Sequence, residues 1–148
     1  MNKMLNLKIV TPEKLILEES VDSVTLPTSE GEITILPNHI PLISSLSSGD
    51  IVARKDNEEI PIAVVGGFIE TKKNENEKTE VVILADFAEH VSEIDEESIE
   101  KARAQAKELH QKALNKEIVD FEHFEAELER ALTRVKIAEK WKTKKYRR

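Results

Sequence analysis

Histidines and carboxylates are the side chains best suited to moving protons or holding a metal near neutral pH, and this chain has four histidines and 29 Asp/Glu residues. His39, His90, His110 and His123 show no helical zinc-site spacing, and there is no cysteine to complete a mixed site. No metal is therefore expected. The absence of cysteine also removes disulfides and thiolate nucleophiles. There is no G-x-S-x-G elbow and no glycine-rich loop ending in Lys-Ser/Thr, so serine-hydrolase and P-loop chemistry are not expected. The carboxylates read as a solvated charged surface with no pair set apart for glycosidase work. His110 and His123 read as solvated helix positions.

His39 stands apart. In "GEITILPNHIPLI", Gly31 to Ile43, an alternating strand breaks at Pro37 and again at Pro41 around Asn38-His39. A proline-braced loop that holds out a histidine raises the question of an active site, with His39 beside a carboxylate, against a merely structural turn. A tight "LPNH" turn favours left-handed backbone at Asn38, which asparagine tolerates better than most residues.

The elements that must position this loop are strand-like. From Met4 to about Phe87, runs such as "LNLKIVT", "VDSVTLP", "GDIVARK" and "TEVVILADF" alternate with Gly, Pro, Asn or Asp punctuation every 8–12 residues. That spacing predicts an all-β sandwich or barrel. Val24, Leu26, Ile33 and Ile35 are expected to face inward, with Thr25 and Thr34 outward. "KKNENEK" is expected to be a hairpin loop, and Gly66-Gly67 a bulge or a close backbone approach at a bend.

After "EHVSEID" the period changes. Ile99, Ala102, Ala106, Leu109 and Ala113, then Phe121, Phe124, Leu128, Ala131, Val135 and Ala138, recur at helical spacing, predicting two amphipathic helices. Asp95 and Asp120 are placed as their N-caps. The break from Leu114 to Val119 is short enough to make the helices antiparallel neighbours. The fold class expected is α+β, with a β domain over residues 1–90 and a helical hairpin over residues 91–148. Five of the eleven seam positions are alanine, so the seam buries little apolar area and the hairpin must lean on something else.

Charge is unevenly spread. Residues 1–90 carry 8 Lys/Arg against 16 Asp/Glu, residues 91–139 carry 8 against 13, and "KWKTKKYRR" from Lys140 carries 6 against none. An acidic body with a basic tip argues for an acidic partner at the tip and against a nucleic-acid groove. The N-terminus has no signal-peptide pattern and no run long enough for a membrane span, so a soluble, unexported chain is expected.

Taken in order, "GEITILPNHIPLI", "AVVGGFIE", "VVILADFAEHVSEID" and the helical end "ELERALTRVKIAE" resemble the epsilon subunit of F-type ATP synthases, from about Leu7 to Glu139. The resemblance implies an antiparallel β-sandwich of about ten strands followed by an antiparallel two-helix hairpin. It also implies a non-catalytic rotor component on the cytoplasmic side of the bacterial cell membrane, attached to the membrane only through its complex. The sandwich would dock on the gamma subunit and the polar loops of the c-ring, with Glu32, Asn38 and His39 in the docking region. Family members commonly have Gly where this chain has Asn38.

The hairpin would be a regulatory arm that inhibits ATP hydrolysis in the alpha/beta head, with Arg130, Arg134, Lys136, Lys140 and Lys142 facing an acidic segment of a beta subunit. Some members bind ATP on this hairpin as a regulatory ligand, and Glu89, Asp95, Arg130 and Arg134 match that pattern. Ser98-Ile99 stand where the motif has Arg-Ala, so nucleotide binding here is expected to be weak. Apart from the resemblance, two alternatives stay open. One is a free-standing β-sandwich adaptor whose hairpin self-associates through Phe121 and Phe124; the other is a small hydrolase using His39.

Overall fold

The computed structural model describes residues 3–117 and 120–146. Ile118 and Val119 of the expected break, and Arg147 and Arg148 of the basic tail, lie outside the described residues. The chain divides into two compact units, residues 1–90 and 91–148.

Among the described residues the first unit holds eight strands: β1 (Leu5–Val10), β2 (Leu15–Val21), β3 (Ser23–Thr28), β4 (Gly31–Ile35), β5 (Leu42–Ser45), β6 (Gly49–Lys55), β7 (Glu58–Lys73) and β8 (Thr79–His90). Their order is β2-β1-β8-β7-β6-β3-β4, with β5 also on β7. The expectation of ten strands is corrected to eight, and the reason lies in the length of β7 and β8. Residues 58–64 of β7 pair with β6, and residues 68–71 pair with β5 in the same register. Between them the Leu46 N–H donates to the Gly67 carbonyl at 2.8 Å. β7 and β8 therefore run through both layers. Five segments on each side make ten by layer, but only eight strands by chain continuity.

The purely antiparallel expectation is also corrected. β1 and β8 pair in parallel, Leu7 opposite Val81 and Ile9 opposite Ile83, whereas the other strand pairs are antiparallel. These two strands come from opposite ends of the unit, so no hairpin turn forces them to run in opposite directions.

The bend falls at Gly66-Gly67, where φ is 62° and 120°. The β7–β8 register is unchanged across it, from Val65 opposite Phe87 to Gly67 opposite Ala85, so the site is a close backbone approach and not a bulge. A Cβ on Gly67 would run into the Leu84 backbone.

Alternation places Leu5, Leu7, Ile9, Val24, Leu26, Ile35, Ile51, Ile62, Ile69 and Ile83 in the core, with Ile33 packed at its margin. Thr25 departs from its expected exposure. Arg54 Nη1 donates to its hydroxyl at 2.8 Å and Thr34 Oγ1 lies at 2.8 Å, so the outer face of β3 is covered by side chains of its neighbours. Asp56-Asn57, with φ of 51° and 67°, form the two-residue turn that joins β6 to β7. "KKNENEK" is the β7–β8 hairpin, tied by the Asn74 carboxamide oxygen accepting from the backbone of Asn76 and Lys78.

The second unit begins with a single 3-10 turn, Val91–Glu93, followed by α1 (Glu96–Leu114) and α2 (Phe121–Tyr146). Asp95 caps α1 by accepting from Ser98 N–H at 2.8 Å, and Asp120 caps α2 by accepting from His123 N–H at 3.1 Å. The end of α1 closes with Glu117 N–H on the Lys112 carbonyl, Lys116 N–H on the Ala113 carbonyl and Lys116 at φ 57°. That is a Schellman arrangement, with lysine in the place glycine usually takes.

Ile99, Ala102, Leu109, Ala131 and Ala138 of the expected seam are buried. Ala113 and Phe121 are exposed instead, because both sit beside the connection, at the end of the hairpin. α2 also buries Thr133 and Ile137, a second stripe about 200° or more round the helix from Ala131.

Candidate docking surface and helical arm

Glu32 is exposed on β4, which pairs on one side with β3 and is a sheet edge. The turn that follows is built as its residues suggest. His39 N–H donates to the Leu36 carbonyl at 3.1 Å and Asn38 is left-handed at φ 71°, the geometry of a type II turn with Pro37 presetting its first corner. Asn38 N–H donates to the buried Thr79 hydroxyl at 2.7 Å, which anchors the turn to the start of β8. The His39 ring is half-buried, and its Nδ1–H donates to the Ile40 carbonyl at 2.7 Å. The loop thus orients His39 through its own backbone.

Around the turn the surface is apolar. Leu36, Ile40 and Ile43 are 56%, 74% and 73% exposed. The pairing extends this apolar character across the sheet. Leu15 lies opposite Val10, Val10 opposite Leu84 and Leu84 opposite Phe68, giving one row across β2, β1, β8 and β7 that points away from the core. Three of these four are at least half exposed. The neighbouring rows carry Lys8, Glu18 and Glu70, then Asn6, Ser20 and Glu80. Sequence reading missed this row. Its signal was present, because "VVILADF" is apolar at both parities and only one parity can face the core.

The five cations proposed for an inhibitory contact do not share a face of α2. Arg130 and Arg134 lie one turn apart on one side; Lys136 and Lys140 lie one turn apart on another. With Lys144 they border a groove of about 940 Å³ whose apolar lining includes Ala106, Leu132 and Val135. Lys144 lies 4.5 Å and Lys140 6.0 Å from the centre of the Trp141 ring. Lys142 is one turn beyond Ala138, on the seam side, and pairs with Glu96.

Of the four residues matched to a nucleotide pattern, Asp95 is committed to the α1 cap, and its hydrogen bonds from Ser98 hold its carboxyl below the usual carboxylate range. Glu89 is half-buried on β8, Arg130 is exposed and Arg134 half-buried. Both arginines take part in interactions of their own. His123 is exposed and lies 2.9 Å from Glu127, a turn away on α2. Among the described residues, no three His, Asp or Glu side chains are grouped to hold a metal ion, and no helix is long and apolar enough to cross a membrane.

The β-sandwich unit, residues 4–91, matches the family ATP synthase, Delta/Epsilon chain, beta-sandwich domain. The ATP synthase epsilon chain of Nitratidesulfovibrio vulgaris is 39% identical over 137 residues, 93% of this chain and 97% of its own. That of Desulforamulus reducens is 38% identical over 141 residues, 94% and 100% of the two chains. A chain of the Tetrahymena thermophila mitochondrial ATP synthase central stalk and c-ring shares the fold at 17% identity and a TM-score of 0.55, with 95% of this chain and 98% of that one covered. The chain belongs to the family of ATP synthase epsilon chains, subunits distinct from the catalytic one.

Proposed function

We propose that this chain is a non-catalytic central-stalk subunit that couples proton flow through the membrane ring to ATP synthesis and restrains ATP hydrolysis with its helical hairpin. The observation that carries the reading is the outward row Leu15, Val10, Leu84 and Phe68, with Ile43 beside Glu70 in the adjoining row, together with the braced turn at Asn38-His39. Such a row on an otherwise charged sheet is a docking surface for another protein. The gamma subunit takes the apolar row, and the c-ring loops take the turn with Glu32, Asn38 and His39. Attachment to the membrane is then peripheral, through the complex on its cytoplasmic side.

The hairpin supplies the inhibitory element. Lys136 and Lys140 offer an acidic beta-subunit segment a shared face, Arg130 and Arg134 a second, and Lys142 a third contact. ATP is a weak regulatory ligand at most, since Asp95 is held by the cap and Ser98 brings no guanidinium. Direct measurement of proton-driven ATP synthesis tests the coupling role. Complexes reconstituted without the chain should synthesise poorly and recover when the full chain is added. Equal synthesis in its absence would remove the coupling role.

A further inference from the structure

The groove beside Lys136 and Lys140 lies between the two helices of the hairpin, and its lining changes character along its length. At one end Ala106 of α1 meets Leu132 and Val135 of α2, an apolar floor. At the other stand Lys140, Thr143 and Lys144, with Lys136 and the Arg103–Glu139 ion pair between. From Leu132 to Lys144 the helix rises about 18 Å. The volume, about 940 Å³, is within the range of small-molecule sites. Among the described residues its cations are Arg103, Lys136, Lys140 and Lys144, and its one carboxylate, Glu139, is already paired with Arg103.

An apolar end, a basic end and a hydroxyl beside the lysines complement a hydrocarbon chain that finishes in an anionic, hydrogen-bond-accepting head. Leu132 is 53% exposed, so a chain laid on it removes from water apolar surface that folding leaves wet. We propose that the groove binds a single-chain fatty carboxylate, its chain on Ala106, Leu132 and Val135 and its carboxylate among Lys140, Thr143 and Lys144. A flat bilayer cannot follow a concave groove between two helices, and the net charge of −7 opposes approach to an anionic membrane. An acidic segment of another protein uses Lys136 and Lys140 by charge and leaves the apolar end uncovered. The site needs only this chain, so it stands apart from the part the hairpin plays in ATP hydrolysis.

Trp141 is the one tryptophan of the chain, and Lys140 and Lys144 lie 6.0 and 4.5 Å from the centre of its ring. A carboxylate that draws on either lysine changes the surroundings of the ring and hence its emission. Full chain titrated at low salt with dodecanoate, below its micelle concentration, should give saturable binding by calorimetry and a parallel change in Trp141 fluorescence. Dodecanol, with the chain but no charge, should bind about three- to tenfold more weakly, and acetate, with the head but no chain, should give no saturable heat. Lys140→Gln with Lys144→Gln should weaken dodecanoate by about the same three- to tenfold, and so should added salt. Leu132→Asp should weaken it about tenfold or more while circular dichroism stays unchanged, because the position is open to solvent. Lys112→Gln, at an exposed lysine of α1 away from the lining, should bind as the unmodified chain does. Absence of dodecanoate binding overturns the proposal, as does equal binding of dodecanol or equal loss in Lys112→Gln. Binding to phosphatidylglycerol vesicles without binding of monomeric dodecanoate would replace it with a bilayer surface, and equal affinity for a polyglutamate peptide would replace it with an acidic protein segment.

Discussion

Asp95 and Gly67 set the local geometry on which the two units depend. Asp95 accepts from Ser98 N–H in its ionised form, and that bond keeps its pKa below the unfolded value. A group with a depressed folded pKa contributes stability above its unfolded pKa and loses it as pH falls through the folded one. Hairpin helicity should therefore decline in acid, below about pH 4. Asp95→Asn should flatten that part of the circular-dichroism titration. Gly67 presents a steric limit of another kind. Its φ of 120° and the Leu84 backbone opposite leave no space for a methyl group. Gly67→Ala should cost about 2 kcal/mol or more, read as a lower denaturant midpoint for the full chain.

At the scale of elements, the strands and helices follow their periods, and the departures have physical causes. The Asn38 turn, both N-caps and the inward set Val24, Leu26 and Ile35 were legible because each depends on neighbours within a few residues. The number of strands was not. The runs on either side of Gly66-Gly67 do not show in sequence that they are one strand, yet β7 continues through the pair because glycine can bend there without breaking the ladder. The parallel β1–β8 pairing joins residues more than seventy positions apart, which no local pattern encodes. The docking row escaped for a related reason: Leu84 and Phe68 look like core residues until the register assigns Ile83 and Ile69 to the inside. Of the proposed inhibitory cations, their presence was readable, but their division among three faces of α2 required the helix itself. Two predictions belong here. Leu109→Ala, in the thin seam, should destabilise the hairpin by about 2–3 kcal/mol and raise amide exchange there while β1 and β8 stay protected. Phe68→Glu with Leu84→Glu should leave the denaturation midpoint nearly unchanged and abolish binding to purified gamma, because the row faces solvent in the free chain.

For the whole molecule, the division at residue 90 separates a sheet with a deep aliphatic core from a hairpin whose seam is nearly half alanine and whose helices are joined by exposed ion pairs. The first suits a rigid coupling body; the second, an arm whose rearrangement requires little free energy. The most direct test is ATP hydrolysis by the cognate alpha/beta/gamma head with the full chain or with residues 1–90 added, binding being measured in parallel. The account predicts that both bind, that the full chain suppresses turnover, and that residues 1–90 do not. Equal turnover with the two chains, both bound, would contradict the inhibitory arm, and failure of either to bind would contradict the docking surface on which the account rests.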